Sequence, residues 1–215
     1  MTERKLSNIE TIVFDLDGTL WDCTSGVFTA WSRTIAKEAP DVRGPITIDE
    51  IRSCMGLTIP EIAEKILPMC APERRERIML KCEAETNVYL QQVGGILYPM
   101  LEETLACLAT RYNLAIVSNC QCGYIETFLE CNDLGKYFSD YECWEVTGLS
   151  KAENIDFLLS RNDFTNACYV GDTVKDRDAA RANAIPFIYC RYGFGKVDDY
   201  DYAIDSFSDL LDLID

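Results

Sequence analysis

The chain has 215 residues, of which 48% are hydrophobic, and it carries a formal net charge of −16 with no histidine. This length allows one large globular domain or one domain with a smaller insertion. The lack of histidine excludes Ser-His-Asp and Cys-His catalysis, and the negative charge disfavours nucleic-acid and anionic membrane partners.

The N-terminus and the hydrophobic pattern give no sign of export or membrane insertion. Residues 1–7 lack the apolar run of a signal peptide. No apolar stretch approaches the roughly 20 residues that are needed to cross a bilayer. We therefore expect a cytoplasmic protein without a membrane partner.

The first predicted strand, Thr11–Phe14, is followed by two acids, Asp15 and Asp17. Ligands of open α/β sheets collect at the carboxyl ends of such strands. With one residue between them, the two side chains point to opposite sides, so one acid can attack while the other transfers a proton. An isolated Asp-x-Asp is usually a solvated turn, but the apolar run before it and Gly-Thr-Leu behind it favour a phosphoryl-transfer site.

Residues 21–93 show helical periodicity only. The flexible pair Gly94-Gly95 and the stiff Tyr98-Pro99 follow, and together they suit a hinge. We therefore predict a helical cap domain at 21–93, inserted into a discontinuous core that comprises 1–20 and 94–215.

The rest of the chain alternates between apolar runs and helical patterns. Such alternation predicts βα units, and hence a doubly wound, Rossmann-like parallel sheet with helices on both faces. The predicted strands are 114–117, 167–170, 186–189 and 202–204, and the predicted helices are 102–111, 123–130, 152–160, 174–183 and 206–214.

Polar groups follow two of these strands or open a helix. Ser118 and Asn119 end the second strand, Asp172 and Asp176 follow the third, and Lys151 opens a helix. Clustered carboxylates beside a phosphate site suit Mg²⁺. Taken singly, Ser-Asn is an ordinary turn, a lysine is usually solvated, and two acids can cap a helix N-terminus.

In this order the segments resemble the four motifs of the haloacid dehalogenase superfamily: residues 12–20, 118–119, Lys151 and 171–176. The resemblance covers nearly the whole chain, and capped members of that superfamily carry the cap between motifs one and two, as here. The cap length and residues 97–99 and 192–195 look like phosphoglycolate-phosphatase-like members. The chain departs from them at Met100, Glu153 and Asn183, where many relatives have glycine, proline and glycine.

The resemblance implies a role for each matching residue. Asp15 is the expected nucleophile, Asp17 the acid and base, and the loop at 53–57 is expected to reach the core site. Dehalogenating relatives lack the second acid, so Asp17 argues against halide removal. The implied phosphate ligands are Ser118, Asn119 and Lys151, and the implied Mg²⁺ ligands are Asp15, Asp17 through its carbonyl, Asp172 and Asp176.

The expected function is Mg²⁺-dependent hydrolysis of a small phosphorylated metabolite, with phosphoglycolate as the leading substrate. Sugar phosphates, nucleotides and pyrophosphate stay open as substrates. The oligomeric state, a monomer or a homodimer, also stays open. The alternatives are a phosphomutase of the same superfamily and a non-catalytic protein that binds a phosphorylated ligand. The chain lacks the phosphate loops of ATP-driven kinases and of nicotinamide enzymes. Oxidation of Cys120 or Cys122 is a further open point.

Overall fold

The strands of the protein are short and mostly buried. Residues 1–4, which belong to the predicted range 1–20, lie outside the described residues. In the computed structural model, which describes residues 5–215, the strands are β1 (Thr11–Phe14), β2 (Trp21–Asp22), β3 (Ile96–Leu97), β4 (Asn113–Ser118), β5 (Asp140–Cys143), β6 (Ala167–Gly171), β7 (Phe187–Cys190) and β8 (Tyr202–Ile204).

Six of these strands form one parallel sheet in the order β5-β4-β1-β6-β7-β8. The central strand β1 is buried on both faces: Ile12 and Phe14 belong to one hydrophobic cluster and Val13 to the other. Alternate side chains of a strand point to opposite faces, so an uninterrupted apolar run is what a doubly covered strand requires. The predicted parallel α/β core is confirmed.

Helices cover both faces of the sheet. Leu105 of α5 and Phe128 of α6 pack with one cluster, and Ile155 of α8 and Ala180 of α9 pack with the other. Within residues 5–215, no helix combines the length and the apolar character that a membrane span needs. The helices are α1 (Thr24–Glu38), α2 (Ile48–Arg52), α3 (Ile59–Ile66), α4 (Pro72–Val93), α5 (Leu101–Leu108), α6 (Tyr124–Cys131), α7 (Trp144–Thr147), α8 (Lys151–Arg161), α9 (Val174–Ala182) and α10 (Leu210–Leu213).

The insertion between motifs one and two is built from α1 to α4. Helix α1 packs along α4, where Trp31 Nε1 donates a 2.8 Å hydrogen bond to Thr86 Oγ1. The prediction of helices alone over 21–93 is wrong for its first two residues, because Trp21 and Asp22 form β2. This strand pairs antiparallel with β3, so the start and the end of the insertion are joined by a short ribbon. The division into a cap and a core domain stays a prediction.

Two further elements differ from expectation. Edge strand β5 was not predicted, because its sequence Asp-Tyr-Glu-Cys is half acidic. Arg161 pairs with both of its acids, at 2.7 Å from Asp140 and 2.6 Å from Glu142. The predicted helix 206–214 is instead a 3₁₀ turn, Phe207–Asp209, followed by the single turn of α10.

Candidate active site

Three polar residues meet where three neighbouring strands end. Asp15 follows β1, Ser118 ends β4 and Asp172 follows β6, and β1 lies between the other two strands. All three are buried, with exposed fractions of 2%, 4% and 0%. The parallel register therefore brings together groups that are up to 157 positions apart in the sequence.

Lys151 joins Asp15 to a further buried acid, Asp176. Its Nζ donates to Asp15 Oδ1 at 2.9 Å and to Asp176 Oδ1 at 2.5 Å. Burial lowers the pKa of this ammonium, but the two carboxylates outweigh burial and raise the pKa of Lys151 well above its usual value. The side chain is therefore a fixed positive charge behind Asp15.

The start of α8 fixes the position of Lys151. Ser150 and Glu153 form a capping box, in which the Ser150 N–H and hydroxyl donate to Glu153 Oε2 at 2.8 and 2.6 Å, while the Glu153 N–H donates to Ser150 Oγ at 3.3 Å. Glu153 stands where many relatives have proline, and it supplies this helix start by hydrogen bonding.

The carboxylates of Asp15, Asp172 and Asp176 form a buried cluster with oxygen atoms within 4.8 Å of one another. Asp172 Oδ2 accepts hydrogen bonds from the N–H groups of Phe194 and Gly195, at 2.6 and 3.1 Å. Its Oδ1 is buried and has no hydrogen-bond partner among the described residues. An unpaired carboxylate oxygen beside two other acids suits a hard divalent cation.

Asp176 caps a helix as well as joining the cluster. Its Oδ2 accepts from the N–H and hydroxyl of Thr173, at 2.8 and 2.7 Å, so it closes the capping box of α9. The alternative interpretation of Asp176, as an acid that caps a helix N-terminus, is thus partly correct. Its side chain, however, is fully buried rather than solvated. Both of its oxygens already accept hydrogen bonds, so Asp15 and Asp172 are better placed to bind a cation directly.

The cluster needs compensating positive charge. Burial, followed by repulsion from Asp176, raises the pKa of Asp15 to about 7, although Lys151 opposes the rise. Burial and the carboxylates of Asp176 and Asp15 raise the pKa of Asp172 well above its usual value. A divalent cation would stabilise the ionised form of these acids, as charge compensation at such sites requires.

Asp17 lies apart from the cluster and is held by three donors. Its Oδ1 accepts from Trp21 Nε1 at 2.8 Å, from Cys23 Sγ at 3.0 Å and from the Tyr124 hydroxyl at 3.0 Å. Burial raises the pKa of Asp17, and the three donors oppose that rise. Because all three donors bond to Oδ1, none of them occupies Oδ2. The metal contact expected of Asp17 is through its backbone carbonyl and stays a prediction.

These three donors were missed at the level of sequence. Trp21 and Cys23 follow Asp17 by four and six residues, and an indole and a thiol at that spacing carry no recognisable pattern. Tyr124 is 107 residues away from Asp17 and meets it only in the fold.

A cavity of about 50 Å³, open to solvent on one side, lies between the strand ends and the insertion. Asp15, Asp17, Ser118 and Asn119 line its core side. The loop at 53–57 reaches this place as expected, since Asn119 Nδ2 donates to the Gly56 carbonyl at 3.0 Å. The use of Ser118 and Asn119 as phosphate ligands stays a prediction.

Other contacts also hold the insertion against the core. Lys175 on α9 pairs with Glu61 on α3 at 2.6 Å. A Cβ on Gly56 would lie 3.0 Å from the Thr173 side chain. The described conformation is therefore a closed one.

Of the two cysteines whose oxidation is an open point, Cys120 lines the cavity and is buried, whereas Cys122 is exposed.

The segment 192–195 closes the site from the side of β7. A Cβ on Gly193 would lie 2.3 Å from Asp172 Cβ, and one on Gly195 would lie 2.4 Å from the Asp172 carbonyl oxygen. Only glycine permits this approach, which brings two N–H donors to Asp172.

Comparison with known proteins agrees with this geometry. The haloacid dehalogenase-like hydrolase family model matches residues 12–190. A phosphoglycolate phosphatase of Salmonella typhi is 29% identical over 238 aligned positions, covering 96% of this chain and 93% of that protein. A phosphoglycolate phosphatase of Agrobacterium fabrum is 28% identical, covering 98% and 93%. The crystal structure of a haloacid dehalogenase-like hydrolase from Bacteroides fragilis has the same fold, with a TM-score of 0.83 at 22% identity over 94% of this chain and 100% of that one.

Proposed function

Because the chain belongs to the haloacid dehalogenase-like hydrolase family, we propose that it is a Mg²⁺-dependent phosphatase that hydrolyses a small phosphomonoester through an aspartyl-phosphate on Asp15. The observation that carries the proposal is the meeting of Asp15 with Lys151 and Asp172 at a cavity whose wall also holds Asp17. Nucleophile, positive charge, cation ligands and proton carrier are thereby supplied at one place.

In the first half-reaction, a carboxylate oxygen of Asp15 attacks the phosphorus atom and forms an acyl phosphate. The ester P–O bond breaks, and Asp17 transfers a proton to the leaving oxygen so that it departs as an alcohol. Lys151 stays bonded beside Asp15 and stabilises the negative charge of the transferred phosphoryl group, with the Ser118 hydroxyl and the Asn119 amide as further donors.

In the second half-reaction, Asp17 accepts a proton from a water molecule, whose oxygen attacks the phosphorus atom of the acyl phosphate. The P–O bond to Asp15 breaks, inorganic phosphate leaves, and both acids return to their starting states. The closed insertion keeps bulk water out while the ester is bound.

The donor set fits a Mg²⁺ ion. Asp15 and Asp172 would hold it, with the carbonyl of Asp17, and with Asp176 through water. When bound, the ion supplies charge compensation for the phosphate dianion and for the buried acids.

Phosphoglycolate is the first substrate to test, because relatives that share 93% of their length with this chain carry that name. The proposal extends to the class of small phosphomonoesters. Cytoplasmic action, and a monomer or homodimer without nucleic-acid or membrane partners, stay predictions from the sequence.

The test is the release of inorganic phosphate from a panel of esters that includes phosphoglycolate, sugar phosphates and nucleotides, with pyrophosphate, in Mg²⁺ or in EDTA. We expect release only with Mg²⁺, and a loss of about 1,000-fold or more in Asp15→Asn. Asp178→Asn is the matched control, since Asp178 is 58% exposed and pairs with Arg177 outside the site.

Two results contradict the proposal. One is release that Asp15→Asn leaves unchanged. The other is the absence of release from every ester by folded protein that binds Mg²⁺, in which case assays of phosphoryl transfer to a second sugar separate a phosphomutase from a binding protein.

A further inference from the structure

The cavity beside Asp15 has two chemically different ends. Its core end holds Asp15, Asp17 and Ser118. In the proposed mechanism the phosphoryl group lies against Asp15 and the leaving oxygen faces Asp17, so the remainder of the substrate fills the opposite end. That end, contributed by the insertion, is built from the apolar side chains of Val27, Trp31, Ile51, Met55, Leu57 and Ile62.

Positive charge is missing from this lining. Of the described residues that line the cavity, none is a lysine or an arginine. Lys151 is held behind Asp15 by its bonds to Asp15 and Asp176. Two other lysines are engaged elsewhere: Lys65 on the insertion donates to the carbonyl of Ser53, and Lys175 on α9 of the core pairs with Glu61.

The polar side chains of the lining bond mainly to one another or to the backbone. Trp31 Nε1 donates to Thr86 Oγ1, and the Thr86 hydroxyl donates to the Cys82 carbonyl, both at 2.8 Å. Gln121 Nε2 donates to Asn87 Oδ1 at 3.3 Å, and the Tyr124 hydroxyl donates to Asp17. A carboxylate at this end would therefore lose its water without gaining a cation, and it would lie in one cavity with two acids.

We infer that the substrate's leaving group is an uncharged alcohol whose apolar carbon skeleton packs against the insertion's side of the cavity. The inference rests on the proposed phosphatase function and deepens it. Apolar contact favours such a skeleton by burial, while the missing cation selects against an acidic one. Phosphoglycolate, whose leaving group carries a carboxylate, is then a poorer substrate than its uncharged counterpart.

A pair of esters of nearly equal shape tests this directly. Isobutyl phosphate has an isopropyl group where 2-phosphoglycolate has its carboxylate, and the two have the same number of non-hydrogen atoms. We expect kcat/KM for isobutyl phosphate to exceed that for phosphoglycolate by about 100-fold, as expected for a site that leaves a charge unpaired.

A variant that adds a cation supplies the second arm. Met55→Lys places an ammonium at the apolar end, and we expect it to move the ratio of the two kcat/KM values toward phosphoglycolate by about tenfold or more. Met69→Lys adds the same charge on the insertion at a residue that is 84% exposed and lies outside the cavity lining. We expect it to leave the ratio unchanged.

The outcomes separate the two proposals. Preference of the wild type for phosphoglycolate, with turnover lost in Asp15→Asn, overturns the inference and leaves the phosphatase function standing. Hydrolysis of neither ester, nor of any member of the wider panel, overturns the phosphatase function itself. The comparison of the two esters in the wild type decides the inference even if Met55→Lys does not fold.

Discussion

The Tyr124 hydroxyl donates a 3.0 Å hydrogen bond to Asp17 Oδ1 across the junction between α6 and the turn after β1. The Tyr124 ring is held by Trp21, whose ring centroid is 5.6 Å away at a steep angle. The same Trp21 donates its own N–H to Asp17. A buried aromatic pair therefore fixes the orientation of the expected proton carrier.

Tyr124→Phe tests this positioning. The ring and its packing stay, but one of three donors to Asp17 is lost, so we expect kcat to fall about tenfold, in line with one hydrogen bond of about 1.4 kcal/mol. The loss should be larger for alkyl phosphates, whose leaving oxygen needs a proton, than for p-nitrophenyl phosphate, whose leaving group does not. The control is Tyr137→Phe, which removes an exposed hydroxyl that bonds to Glu102. Equal losses on both substrates would contradict a positioning role.

The acid cluster predicts that Mg²⁺ stabilises the fold. The orphaned Oδ1 of Asp172 gains a partner when the ion binds, so we expect Mg²⁺ at about 100 times its Kd to add about 2.7 kcal/mol of stability and to raise Tm by about 5 °C or more. Asp172→Asn should abolish the shift, whereas Asp178→Asn should keep it. Thermal unfolding with and without Mg²⁺ measures this without any substrate. An undiminished shift in Asp172→Asn would remove Asp172 from the ligands.

Met100 carries backbone strain. Its φ of 61° lies in the left-handed region, and its side chain is 55% exposed. A Cβ in this region costs about 1–2 kcal/mol of folding free energy, and glycine removes that cost. Part of the resulting gain is offset, because glycine loses more chain entropy on folding. Met100→Gly should therefore raise the free energy of unfolding by about 0.5–1 kcal/mol in urea titrations. Met100→Ala keeps a Cβ and should bring no such gain; equal gains in both would exclude relief of strain as the cause.

Glu83 predicts a pH-dependent stability. It is 6% exposed on α4, and it lies beside Glu145 of α7 in the lining of a second cavity. Burial, followed by the nearby Glu145 carboxylate, raises the pKa of Glu83 from 4.5 to about 7. The folded state thus binds this proton more tightly than the unfolded chain does, so the stabilisation is complete below about pH 4.5 and is lost as the pH rises through 7.

Glu83→Gln imitates the protonated form. We expect it to be more stable than the wild type by about 2 kcal/mol at pH 8, with the difference shrinking toward pH 5. Urea unfolding at several pH values measures this. Glu85→Gln, at an exposed position of the same helix, should change little at either pH. A gain that stays constant with pH would rule out titration of Glu83 as its source.

The sequence predicted the features that depend on local pattern. The apolar run of β1 is buried on both faces, and such a strand leaves a signal that needs no knowledge of its neighbours. Strand β5 left no such signal, because its acids are neutralised by Arg161, which comes from a different element. Hydrophobic periodicity does not detect a strand that depends on a distant ion pair.

The candidate site divides in the same way. Asp15, Lys151 and Asp172 stand in short motifs at strand ends and a helix start, so the resemblance of these motifs to those of the superfamily was enough to group them. Tyr124 could not be predicted, since its only link to Asp17 is a contact between residues 107 positions apart. Asp176 both caps α9 and belongs to the acid cluster. This combination likewise could not be predicted, because it requires the first turn of α9 to be buried beside Asp15 and Asp172.

The ribbon of β2 and β3 holds the two ends of the insertion next to each other. Trp21 is paired with Leu97, so the two ends of the core lie one strand spacing apart, about 4.8 Å. A two-residue hairpin turn can bridge that gap. Replacing the intervening helices by such a turn, or by helices from a related chain, would therefore impose little closure strain on the sheet.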